Sequence, residues 1–151
     1  MTNKKIKKYF PGGNTVQGFY SFYEYIPFKT KYTIVIKGGP GTGKSTLMKK
    51  IGQYFLNQDL DVEFHLCSSD SSSLDGLVIP AYYTAIFDGT APHQNDPIYP
   101  GAVGEIFDTG QFWNREKLIP HKNTIKKLNN TITQQFNKVY NRLKVAKIIH
   151  S

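Results

Sequence analysis

The sequence predicts an α/β protein built on a parallel sheet, and three observations carry that prediction. A short β-branched run, Tyr32-Thr-Ile-Val-Ile-Lys37, ends in glycines. A stretch with apolar residues at helical spacing follows it. Two further runs of strand character lie downstream, separated by turn residues. Strands alternating with helices give a parallel sheet covered by helical layers. The 151 residues permit one domain of ordinary size. With 39% hydrophobic and 14% aromatic residues, the chain can bury a core and wholesale disorder is excluded.

In chain order, Lys4, Lys5, Lys7 and Lys8 mark residues 1–17 as a basic, flexible tail ahead of a domain over 18–151. Phe19, Phe22, Tyr23 and Ile26 recur at helical spacing and predict a short helix packed on the sheet. A stacking surface for nucleic acid is the alternative. Tyr32–Lys37 is the first strand. Leu47, Met48, Ile51 and Phe55 predict a helix from Lys44 to about Asn57. Asp61–Cys67 alternates, with Val62, Phe64 and Leu66 on one face, and reads as a second strand. Ala81–Phe87 is a third, ending at Asp88-Gly89. Pro92, Pro97 and Pro100 make residues 90–101 a loop, and 102–107 is expected to be a short helix. Ile125, Leu128, Ile132, Phe136, Val139, Leu143 and Ala146 step by three or four, predicting a long amphipathic helix over about 121–150.

The formal net charge of +8 points, taken whole, to nucleic acid or an acidic membrane surface. Its distribution says otherwise. Residues 1–50 carry ten lysines and one acid, 51–113 carry nine acids and no Lys or Arg, and 114–151 carry nine basic residues and one acid. No apolar run approaches the roughly 18–20 residues of a membrane span. The lysine-rich start has no apolar segment behind it, so no secretory signal is expected. The single cysteine, Cys67, suits a reducing cytoplasm and reads as a small buried hydrophobe.

Gly38-Gly-Pro-Gly-Thr-Gly43-Lys44-Ser45-Thr46 fits G-x-x-x-x-G-K-[ST] in full, between a buried strand and an amphipathic helix. Glycines permit backbone angles that aim successive N–H groups at phosphate oxygens. The start of the helix adds its positive dipole end. Gly38, Gly39, Gly41, Thr42, Gly43, Lys44, Ser45 and Thr46 are therefore the predicted nucleotide contacts. Lys44 is expected to reach the β- and γ-phosphates and Ser45 to ligate Mg²⁺. No N-K-x-D for guanine occurs, so ATP is expected over GTP.

The metal side of such a site needs an acid at the end of a neighbouring strand, and Ala85-Ile86-Phe87-Asp88 has that form. Gly89 stands where many ATP-driven machines place a catalytic glutamate, which is closer to small nucleotide kinases. Yet phosphoryl transfer in those enzymes leans on several arginines, and this chain has only Arg115 and Arg142. Asp70 and Asp75, after the second strand, and His93, five residues past Asp88, are the candidates for orienting water or accepting a proton. For Asp70 the alternative is a capping turn, and for His93 an exposed loop histidine. His65, inside a strand, reads as a packed or surface histidine.

Rarer strings go beyond the loop: Cys67-Ser-Ser-Asp70, Leu74-Asp-Gly76 with Ile79-Pro80, Asp88-Gly-Thr-Ala-Pro-His93, Asp96-Pro97, Pro100-Gly101 and Phe112-Trp113. From about Gly18 onward, these make the chain resemble a family of bacterial proteins with two tandem P-loop halves, loosely described as ATPases or nucleotide kinases. The resemblance implies a P-loop three-layer sandwich, ATP bound at 38–46 and a metal-side role for Asp88. Family members run to more than twice this length, so the chain resembles the N-terminal half. With three strands found where about five are usual, the domain is expected to be incomplete. The narrow C-terminal stripe is expected to meet a partner, either a second P-loop half or another copy. Three functions compete: ATP hydrolysis coupled to conformational change, phosphoryl transfer to a small acceptor, and a non-catalytic nucleotide-dependent binding module.

Overall fold

The structure, a computed structural model, describes residues 5–23, 30–90, 96–97 and 99–150. The described elements are β1 (Ile6–Tyr9), β2 (Gly12–Thr15), β3 (Gly18–Ser21), β4 (Tyr32–Lys37), α1 (Lys44–Leu56), β5 (Val62–Leu66), β6 (Leu74–Ile79), β7 (Thr84–Asp88), β8 (Gly104–Asp108), α2 (Arg115–Leu118) and α3 (Lys122–His150). Six strands form one sheet in the order β1-β5-β6-β7-β4-β8, and β2 and β3 make a separate hairpin. Five of the six run the same way. β6 runs against its neighbours β5 and β7. The protein is α/β as predicted, but the sheet is mixed, not parallel throughout.

β4 lies inside the sheet between β7 and β8, and its side chains serve both faces. Ile36 joins Met48 and Leu56 of α1, with Val62, Leu74, Leu77, Ile79 and Ile86, in the larger core. Val35 joins Tyr23, Ala85 and Phe87 in a smaller cluster. Burying a side chain such as Met48 or Leu77 contributes about 1.5–3 kcal/mol. That packing fixes α1 so that its first turn meets the end of β4. The sequence implied a further helical layer on the opposite face; no such layer packs there among the described residues.

Four expectations are corrected. Residues 6–9 are not a free tail: β1 pairs in parallel with β5, Ile6 opposite Val62, and Lys7 Nζ lies 2.6 Å from Glu63 Oε1. A basic edge strand beside an acidic one is stable where a lysine run alone reads as solvated. The helix expected around Phe19–Ile26 is absent over its described part. Gly18–Ser21 is a strand, turned back on β2 with Thr15 Oγ1 donating to the Gly18 carbonyl at 2.8 Å, and Ile26 lies outside the described residues. The 102–107 stretch is not helical but contributes β8, paired with β4; so short an apolar run fits either period. The third strand starts at Thr84, since Pro80–Tyr82 form a 3-10 turn.

β6 was not foreseen. Asp75 and Gly76 are poor strand formers, but Gly76 lies against the His65 ring, where a Cβ would sit 2.8 Å from Nδ1. α3 matches the predicted helix and none of its residues is buried. It meets the β2–β3 hairpin, where Tyr140 Oη donates to Asn14 Oδ1 at 2.9 Å.

Candidate functional site

The loop 38–43 links the carboxyl end of β4 to α1. Gly43 is the N-cap of α1 at φ 86°, a left-handed conformation that a side chain would strain, and it caps none of the first-turn amides. Those amides and the helix dipole favour an anion at this end. Gly38 and Gly41 also have positive φ.

Lys44 is buried, and its ammonium folds back over the loop. Nζ donates to the carbonyls of Gly38 and Gly39, both at 2.9 Å, and lies 3.5 Å from Asp88 Oδ2. A buried cation needs such partners. Asp88 ends β7, and its other oxygen accepts the Thr90 amide at 2.8 Å. Thr90 Oγ1 in turn donates to the Gly38 carbonyl at 2.7 Å. Thr42 Oγ1 donates to the Gly39 carbonyl at 2.9 Å. Ser45 Oγ accepts the Leu74 amide at 2.9 Å, which orients the hydroxyl and leaves it a second lone pair. Thr46 is exposed in the first turn of α1 and Gly41 is exposed in the loop.

The other flank of the loop has a matching clamp that motif reasoning missed. β8 ends in Ile106-Phe107-Asp108, repeating Ile86-Phe87-Asp88 of β7. Asp108 Oδ1 accepts the Gly110 amide at 2.7 Å, as Asp88 accepts that of Thr90. The following Thr109 is buried; its Oγ1 donates to the Lys37 carbonyl at 2.7 Å and lies 3.0 Å from Thr42 Oγ1. The repeated tripeptide was the signal in the sequence. Beyond it, the Trp113 ring packs over Gly39, where a Cβ would fall 2.6 Å from Cζ2. Lys37 Nζ donates to the Gly89 carbonyl at 2.9 Å and pairs with Asp96 at 2.8 Å.

The remaining candidates separate. Asp75 precedes Gly76, which pairs with Phe87 near the carboxyl end of β7, and the β5–β6 register passes over Asp75 at an irregularity. Asp75 is buried there, and its charge is felt by Tyr23 and His65. Asp70 lies on an exposed turn, accepting the Ser72 amide at 3.0 Å and the Ser72 and Ser73 hydroxyls at 2.6 Å each. Those hydroxyls hold its carboxyl below the usual range. Both its oxygens serve its own turn. His93 lies outside the described residues. Cys67 is half-buried.

His65 is fully buried, as a packed histidine. Tyr9 Oη donates to Glu63 Oε2 at 3.0 Å, so the 2.8 Å contact between His65 Nε2 and Tyr9 Oη has the imidazole as donor. Burial pushes the His65 pKa down to about 4, and burial with the Glu63 bond raises that of Tyr9 to about 12. Burial works against ionisation of Glu63, but the bonds from Lys7 and Tyr9 outweigh it and lower its pKa. This network belongs to β1 and β5, at the opposite edge of the sheet from β8.

Comparison with protein-family models, with curated proteins and with solved structures finds no match. Among the described residues, no group of three or more His, Cys, Asp or Glu is placed to hold a metal ion. No helix there is long and apolar enough to cross a membrane.

Proposed function

We propose that the chain is a cytoplasmic P-loop protein that binds Mg·ATP through residues 38–46 and hydrolyses it, coupling hydrolysis to a change of conformation. One observation carries this. A buried lysine ammonium lies on loop carbonyls at the start of an uncapped helix, 3.5 Å from a strand-end carboxylate. A triphosphate offers that ammonium and those amides better acceptors than carbonyl oxygens. Thr90 and Thr109 brace the loop from both sides, which favours a pre-formed cradle.

A magnesium ion fits the donors present. Mg²⁺ takes one or two protein oxygens, keeps several waters and shares phosphate oxygens, so a three-carboxylate cluster is not required. Ser45 and Asp88 would hold it, and it would neutralise charge developing on the phosphates. In hydrolysis, a water oxygen bonds to the γ-phosphorus, and the bond to the bridging oxygen breaks with its electron pair leaving on ADP. Asp75, one residue before the Gly76–Phe87 pair near the carboxyl end of β7, is the candidate for taking the proton of the water, because Asp70 is committed to its turn.

Phosphoryl transfer to a small acceptor is the second reading, favoured by Gly89 directly after Asp88. Association through α3, with another copy of the chain, belongs to the same proposal: Leu128, Ile132 and Val139 lie exposed along its stripe. Titration calorimetry tests the binding. The intact chain should bind ATP with Mg²⁺ and Lys44→Ala should not; equal affinities would overturn the assignment. Phosphate release with and without pooled nucleosides and nucleotides separates hydrolysis from transfer. ATP binding without turnover in either assay would favour the binding module.

A further inference from the structure

Residues 1–113 carry ten basic and ten acidic side chains, so the formal charge of +8 falls wholly on residues 114–151. Most of it sits on α3, which has seven basic residues and no acid over its 29 positions. α3 meets the β2–β3 hairpin through Tyr140 and Asn14, and its three half-buried residues, Phe136, Tyr140 and Leu143, share that side. Helical geometry turns Lys127, Asn130, Gln134, Lys138 and Asn141 to the far side, with Arg142 beside the last. All six are exposed. That face interleaves cations with amide side chains over about four turns.

A row of cations without an acid complements a polyanion. Lys and Arg pair with backbone phosphates, while Asn, Gln and Arg read base edges where an α-helix lies in the major groove of B-form DNA. No aromatic ring lies on this face, so it offers nothing on which the bases of a single strand could stack. The major groove of A-form RNA is too narrow for side chains to read. A membrane-surface helix lays an apolar face into the lipid. In α3 the middle of the apolar stripe is half-buried, and these cations point away from it. We infer that the face of α3 from Lys127 to Arg142 is a docking surface for double-stranded DNA, with its cations on the phosphates and its amides towards the bases. The inference is independent of ATP binding at residues 38–46.

Fluorescence anisotropy of a labelled mixed-sequence DNA duplex, titrated with the intact chain over a salt series, tests it. The unaltered protein should bind, with log K falling linearly against log salt. Lys127→Gln/Lys138→Gln should weaken binding about tenfold and make the salt slope shallower by about two. Glutamine keeps a helix propensity close to that of lysine, so α3 is retained. Lys8→Gln/Lys50→Gln removes the same charge from exposed positions outside α3 and should change affinity and slope far less. Equal losses in the two variants would show attraction to net charge alone and overturn the docking surface. So would a failure to bind the duplex, tighter binding to a single strand, or binding to phosphatidylserine vesicles in place of DNA.

Discussion

Around the loop, single hydroxyls carry much of the organisation. Thr109 reaches a carbonyl 72 positions earlier in the chain, and Thr90 one 52 positions earlier. Thr109→Val keeps the shape but strands the Lys37 carbonyl, so it should cost about 1–3 kcal/mol, read as a lower urea midpoint at unchanged slope. His65 supplies a pH-dependent term. Its pKa falls from an ordinary 6.5 to about 4 on folding, so the unfolded chain binds the extra proton between those values. Stability is therefore full above pH 6.5 and lost as pH falls towards 4, by about 3 kcal/mol at most. Thermal unfolding at a series of pH values should show a decline in this window that His65→Phe flattens. Asp70, by contrast, was legible either as a strand-end acid or as the cap of a polar turn, and its hydrogen bonds give the turn. The two serines that engage it, Ser72 and Ser73, adjoin it in the sequence, but only the turn brings their hydroxyls onto both its oxygens.

Among the elements, β4, the loop and α1 were readable because their signals are local: β-branched burial, a fixed glycine spacing and an amphipathic period. β1, β6 and β8 were not, since each is a strand by virtue of its neighbour. β8 is almost wholly exposed apart from Gly104, and only its ladder to β4 makes it a strand. As an edge it leaves Ile106 and Phe107 uncovered. Ile106→Lys should accordingly reduce aggregation on concentration, measured by light scattering, while leaving the melting temperature nearly unchanged. Gly39→Ala probes how the segment after β8 meets the loop. The added methyl should push the indole outwards, giving red-shifted Trp113 emission and a loss of about 1 kcal/mol or more from overpacking.

At the scale of the whole molecule, the charge blocks acquire a physical meaning. The ion pairs Lys7–Glu63, Lys37–Asp96 and Lys44–Asp88 all join the basic first block to the acidic second one. Among the described residues the third block joins no such pair: α3 carries Lys122, Lys126, Lys127, Lys138, Arg142, Lys144 and Lys147 and no acid. At 29 residues it is about 43 Å long, with no buried residue. Its amides should therefore exchange with solvent far faster than those of β4 or β7, as hydrogen-exchange mass spectrometry would show. Self-association through its apolar stripe would bring like charges together. Sedimentation velocity should then show association that strengthens with added salt and disappears in Ile132→Asp.

The sequence by itself determined the strand–loop–helix at residues 32–56, the long basic helix, and the identity of Lys44 and Asp88 as a pair worth testing. Each depends on residues close along the chain, or on a carboxylate whose strand-end position is visible from its neighbours. Only the tertiary structure decided that the sheet is mixed, that the lysine-rich start is an edge strand, that Asp75 is buried in β6, and that the capping turn is the reading of Asp70 that holds. It alone brought Thr90, Thr109 and Trp113 to the loop. Those contacts cross fifty or more residues, and no local period or propensity encodes which distant backbone a hydroxyl or ring will meet.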